Sequence, residues 1–193
     1  MTQAEIDAFV HSALDDTLTP EGVTSAVVTR GIPVNGRHST WGWTALHWAV
    51  RCTRCELVVA LLAASASPNV PDNDGRAPVW IGAACSTADI LQLLIDGGGN
   101  VNEVSTIGQT PLMAIVNYNR GDVAARLQVL LACPELDLDT RHDGKTAEQW
   151  AVSCGQPALA SVIAQERARR ERWSALRAAW IAATVTRPRA FSS

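Results

Sequence analysis

Lysine is almost missing from this chain: Lys145 stands alone among 16 basic side chains, and the rest are arginine. Long apolar runs are missing too. No stretch approaches the roughly 18 consecutive apolar residues of a membrane-spanning helix, so no membrane partner is expected. Met1 to Val10 carries two acids and no base, and so lacks the basic start and apolar core of a secretion signal. The five cysteines are odd in number and irregularly spaced. That argues for reduced thiols in an intracellular protein. Together these features predict a cytoplasmic or nuclear protein. Phe and Tyr are scarce at two and one, against seven Trp. With 47% hydrophobic and 18% charged residues, the composition is globular, neither disordered nor collagen-like.

The net charge of −3 hides a division. Residues 1–165 hold 9 bases and 17 acids, whereas residues 166–193 hold 7 arginines and 2 glutamates. An acidic body, with no interleaving of aromatic and basic residues outside this tail, argues against a nucleic-acid partner.

The strongest signal is internal repetition. Gly42, Gly75, Gly108 and Gly144 lie 33, 33 and 36 residues apart. They introduce WTALHWAV (43–50), RAPVWIGA (76–83), QTPLMAIV (109–116) and KTAEQWAV (145–152). Asn35, Asn69 and Asn102 keep the same beat, and Asp139 takes the fourth place. Thr44, Thr110 and Thr146 suit a helix N-cap, and Pro78 and Pro111 suit the first helical turn. After Thr44, the apolar spacing of Leu46, Trp48, Ala49 and Val50 predicts a helix A. A break at Cys52–Thr53–Arg54 separates it from a helix B carrying Cys55, Leu57, Val58, Leu61 and Leu62. Ser65 to Gly75 then reads as a turn out and back. Helices this short must bury their apolar faces against neighbours to persist.

On these motifs the chain resembles the ankyrin-repeat family, whose unit starts T-P-L-H-x-A, over about residues 20–165. The resemblance implies an all-α solenoid with short hairpin turns. Residues 1–37 are expected to form a divergent first repeat and N-terminal cap, opened by the capping box Thr2–Gln3–Ala4–Glu5. Four repeats follow at 38–70, 71–103, 104–140 and 141–165. The third carries three extra residues around Asn117–Asp122, which predicts a longer loop. In the last, Glu148 replaces the apolar Leu46, Val79 and Leu112, which predicts a less buried helix.

Residues 166–193 form a basic tail. The span 164–184 lacks Gly and Pro and is rich in helix formers. Trp173, Leu176 and Trp180 share one helical stripe behind a collar of Arg167, Arg169, Arg170 and Arg172. Two uses are expected. As a cap, the helix buries Trp173 and Trp180 near Ala151, Leu159 and Val162. As a docking helix, it offers the stripe to another protein.

Candidates for chemistry are thin. Cys52–Thr53–Arg54–Cys55 is a C-x-x-C, the pattern of zinc or redox sites, but no second ligand pair stands at metal spacing. Cys52, Cys85 and Cys154 share one repeat position, and Cys55 opens helix B at an apolar place, so structural thiols are expected. In the family, the histidine at the place of His47 is a hydrogen-bonding structural residue. Gly97–Gly98–Gly99 follows a helix and so sits at the wrong end for anion binding. Arg120–Gly121–Asp122 spells the integrin tripeptide, read as chance. No cofactor, metal or catalytic residue is expected.

What remains is a surface. The resemblance implies that ligands meet the hairpin tips and the edges of the A helices. It thereby points to Trp41, Trp43, Arg51, Asp74, Arg76, Ile107, Gln109, Asn117, Tyr118, His142 and Lys145. The expected function is recognition of another protein, as an adaptor or a masking inhibitor without catalysis. The alternatives are a self-assembling module, a homodimer paired through the C-terminal helix, and a thiol enzyme using Cys52 and Cys55.

Overall fold

The computed structural model describes residues 2–118 and 120–185, and the side chains as far as residue 182. Among the described residues ten α-helices follow one another: α1 Gln3–Leu14, α2 Pro20–Thr24, α3 Ala45–Arg51, α4 Cys55–Ala63, α5 Pro78–Cys85, α6 Ala88–Asp96, α7 Pro111–Asn117, α8 Val123–Leu131, α9 Ala147–Ser153 and α10 Pro157–Val185. Helix α2 runs on through one π turn, Ser25–Thr29. The odd-numbered helices stack into one layer and the even-numbered into another. The core lies between the layers, from Phe9 and Val10 through Leu46, Leu61, Leu91 and Leu112 to Ile163.

Local chemistry sets the helix starts. The hydroxyls of Thr44, Thr110 and Thr146 accept from the backbone N–H of His47, Met113 and Gln149, one orphan donor satisfied in each helix. His47 and Gln149 reach back to the cap N–H, completing capping boxes. Ala77 occupies the same place before α5 with no side-chain bond. The Thr2–Glu5 box opens α1 as the sequence implies.

Between helix pairs the chain makes a hairpin, closed by His38 N–H to Trp43 C=O, Asp72 to Arg76, Ser105 to Gln109, and His142 to Lys145. Each tip holds a glycine at positive φ, such as Gly75 at 72°, where a side chain would be strained. A Cβ there would also come within 2.8 Å of the Thr106 nitrogen on the next hairpin. Successive tips are tied by backbone bonds, Asn73 N–H to Trp41 C=O and Thr106 N–H to Asp74 C=O. The asparagine beat has the same purpose. The side-chain Oδ1 atoms of Asn35, Asn69 and Asn102 accept from Ser67, Asn100 and Asp137 N–H at 2.7–2.8 Å.

The expected longer connection is present, between the end of α7 at Asn117 and the start of α8 at Val123. Arg126 holds it from below. This guanidinium is fully buried, donates to the carbonyls of Ala83, Arg120 and Asp122, and pairs with no carboxylate among the described residues.

The tail departs from the capping expectation. It prolongs the last B helix into α10 instead of folding back. Trp173, Leu176 and Trp180 are 65%, 62% and 67% exposed, not buried near Ala151, Leu159 and Val162. A straight continuation carries the stripe past the last packed turn, whose inward residues end at Ile163. Residues 171–182 are exposed throughout. The arginine collar instead meets the body. Arg170 donates to the carbonyls of Leu131, Cys133 and Leu136 at 2.7–3.0 Å, satisfying the last carbonyl of α8 and two in the turn beyond it. Arg167 bonds Leu138 C=O and pairs with Asp139 and Glu148. Glu148 is thus a half-exposed ion-pair partner, which explains why an acid stands where other repeats have an apolar residue.

Candidate partner-binding face

The first hairpin gathers indoles. The Trp43 ring lies 4.3 Å from Trp48, centroid to centroid, and Trp41 meets Trp48 edge-on at 6.0 Å. Trp41 stacks on His38 at 4.3 Å and remains 44% exposed. Alternation around the tip separates the two flanking tryptophans: Trp41 faces outward, while Trp43 packs against the core. Trp43 Nε1 donates to Asp72 Oδ2 at 2.9 Å on the next hairpin. Asp72 is buried and also accepts from Asp74 N–H, Arg76 N–H and the Arg76 guanidinium. This carboxylate is the knot between the first two tips, and its place three residues before Gly75 is the only sequence signal for it.

Beneath the tip lies His47, fully buried. Its Nδ1 sits 3.0 Å from Thr44 N and its Nε2 3.0 Å from Arg76 O. Those partners require a neutral ring that accepts at Nδ1 and donates at Nε2. Burial holds its pKa down at about 4, so the ring stays neutral at physiological pH.

Two clefts open side by side on this face. The first, of about 360 Å³, is lined by Thr40, Trp41, Trp43, Trp48, Asn73, Asp74 and Arg76. The second, of about 140 Å³, shares Trp43 and Arg76 and adds Arg51, Trp80, Cys85, Tyr118 and Arg120 among its walls. The Arg76 guanidinium lies 5.8 Å over the Trp80 ring, and Tyr118 meets Trp80 edge-on at 5.6 Å. The structure thus brings Trp41, Trp43, Arg51, Asp74, Arg76 and Tyr118 together on one surface.

The remaining candidates stand elsewhere. Ile107 is exposed at the third tip. Gln109 is a correction: it is buried, its carbonyl accepts from Trp80 Nε1, and its amide meets His142. It braces the third tip to the fourth and offers a partner nothing. Asn117 is exposed, but its Oδ1 accepts from Trp150 Nε1 at 2.6 Å. His142 packs on Trp150, and Lys145 lies 5.7 Å over the same ring. Sequence reasoning missed Trp80 as a wall, because its repeat position is a core one. Arg120 stood out in the sequence only within a chance tripeptide, because only the inserted loop brings it to the cleft.

Cys52 and Cys55 are both exposed, Cys52 at the end of α3 and Cys55 opening α4. The apolar place predicted for Cys55 is therefore not a buried one. Cys85 is half-buried and Cys133 buried. Among the described residues no cluster of His, Cys, Asp and Glu could hold a metal, and no helix is long and apolar enough to cross a membrane.

Two family models match, "Ankyrin repeat" over residues 41–73 and "Ankyrin repeats (3 copies)" over residues 80–171. Among curated proteins, the neurogenic locus notch homolog protein 1 of Xenopus tropicalis is 30% identical over 154 residues, 76% of this chain. The Homo sapiens protein of that name is 29% identical over 156 residues, 77% of the chain. Alpha-latrotoxin-Lh1a of Latrodectus hasselti is 32% identical over 130 residues, 65% of the chain. The chain spans only 6% of the length of the two notch homologues and 9% of the toxin.

Proposed function

The chain belongs to the ankyrin-repeat family, and from that premise we propose that it recognises another protein, as an adaptor or a masking inhibitor, with no catalysis of its own. Repeats of this family are in general protein-interaction modules. The observation that carries the reading is the indole cleft of the first hairpin. Trp41, Trp43 and Trp48 line one opening beside Arg76, and Trp and Arg are the residues most enriched in interface hot spots. A large indole held 44% exposed by its own scaffold is a preorganised anchor.

Trp41 is the side chain to test. Trp43 also bonds the buried Asp72, so its loss weakens fold and binding together. Trp41→Ala is expected to weaken partner binding by about 2 kcal/mol with little change in Tm. Crosslinking of the intact protein in cell extract, wild type beside Trp41→Ala, reads this directly. An identical set of crosslinked partners would overturn the reading.

A second reading rests on α10. Trp173 and Leu176 stand exposed on one side of the helix beyond the last packed turn. That suits pairing with a second copy, or docking of the helix on another protein. Sedimentation at two concentrations separates the two: a mass that grows with concentration supports the homodimer, and a constant monomer mass removes it.

A further inference from the structure

The smaller cleft differs from its neighbour in charge. Its mouth carries Arg51, Arg76 and Arg120 around aromatic walls, in a body that is otherwise acidic. Arg76 is already engaged, pairing with Asp72 at 2.9 Å and Asp74 at 2.5 Å. Arg51 and Arg120 are exposed and form no ion pair among the described residues. They come from different repeats, Arg51 from the end of α3 and Arg120 from the inserted loop. That loop is fixed from below by buried Arg126, which holds the carbonyls of Arg120 and Asp122. Convergence of the cations is felt at the floor. Burial pushes the Cys85 thiol up, while Arg51, Arg126 and Arg120 all pull against that rise.

Two guanidiniums from different repeats, neither ion-paired among the described residues and Arg51 bonded only to the Cys85 thiol, stand on aromatic walls and form an anion seat with no anion of its own. Arginine's planar fork matches a carboxylate in two parallel bonds. At the mouth, Asp72 and Asp74 offset two of the three arginine charges, so one further negative charge balances the set. The space, about 140 Å³, suits a single side chain. The adjoining indole cleft suits an apolar one.

We infer that the cleft between Arg51 and Arg120 seats an aspartate or glutamate of a partner peptide whose neighbouring apolar side chain enters the Trp41–Trp43–Trp48 cleft. This rests on the protein-recognition reading and narrows the class of partner to acidic peptide segments.

The test selects short random peptides displayed on phage against the full immobilised chain, then synthesises the winners. Winners are expected to carry Asp or Glu beside an apolar residue. Replacing that acid by its amide is expected to weaken binding about tenfold, the signature of a lost charge-assisted pair. In Arg51→Gln/Arg120→Gln the same replacement is expected to change little, and the acidic peptide itself to bind about tenfold more weakly. Tm is expected to hold in that variant, because neither side chain is buried or ion-paired. Bound peptide is also expected to slow alkylation of Cys85 and leave exposed Cys154 unaffected. Winners without acids, an acid effect that persists in the double variant, an unshielded Cys85, tighter binding of a phosphoserine in the acid's place, or no winners at all would each overturn the inference. Should the winners depend on Trp41 but not on Arg51 and Arg120, protein recognition survives and only the acidic specificity falls.

Discussion

The two ends of this solenoid are closed by different physics. At the N-terminus, α1 buries Phe9, Val10 and Ala13, and the helix after Thr19 adds Val23 and Ala26. Apolar area removed from water covers the exposed side of the first full repeat. At the other end α10 adds no such layer among the described residues. Helix α10 turns Ala160 and Ile163 inward and then leaves the body, with 15 residues, about 22 Å, from position 171 onward. Arg167 and Arg170 do the closing there by satisfying carbonyls and carboxylates at the edge of the third and fourth repeats. A repeat end can therefore be finished by burying area or by satisfying polar groups. The apolar stripe that looked like the cap is left over for something else.

The largest effect should fall on the apolar end. Phe9→Ala is expected to cost about 3 kcal/mol, the usual scale for removing a buried phenyl ring, read as a fall in the urea midpoint. A loss below about 1 kcal/mol would mean that the first two helices do not fold cooperatively with the rest.

The polar end comes next. Arg170→Met keeps the side-chain stem and removes the guanidinium from three carbonyls. It should cost about 2 kcal/mol, within the range for hydrogen bonds to charged groups. Hydrogen exchange should quicken at the last turn of α8 while α1 stays protected. Uniform loosening of both ends would contradict the division between them.

Acid sharpens the contrast inside the stack, because His47 and Gln149 complete the same capping box at opposite ends. The folded pKa of His47, about 4, lies below the ordinary 6.5. The unfolded chain then binds more protons between those values, so stability is full above pH 6.5 and is lost as pH falls toward 4. His47→Gln, which copies the last repeat, should flatten that part of the profile of Tm against pH. A slope unchanged in the variant would assign the loss to another group.

The smallest effect is expected at the stripe. Trp173→Ala, on an exposed surface, should move stability by no more than about 0.5 kcal/mol. A loss several times larger would show that the indole is covered in solution, and would favour the homodimer.

Much of the fold could be read from residues alone. Gly42, Gly75, Gly108 and Gly144 mark the tips, Thr44, Thr110 and Thr146 start the helices, and the added residues before Asp122 become the long loop. Each of these depends on backbone sterics or on hydrogen bonds spanning a few positions, which neighbours in sequence decide. The site was legible only in part. Trp41, Arg51, Arg76 and Tyr118 could be placed on one face by repeat register, whereas Gln109 could not be recognised as buried.

The difference lies in what each feature depends on. Register places a residue within its own repeat, and periodicity alone determined the helix pairs, their caps and their stacking order. Whether a side chain is covered depends on the repeat beside it. Gln109 is buried because His142 and Trp80 close over it, and Trp173 is exposed because α10 has run past the turn that packs on the body. Arg51 and Arg120 line one cleft only because stacking brings the end of α3 and the inserted loop to the same face. Such contacts between distant positions are set by tertiary packing, and local sequence pattern does not encode them.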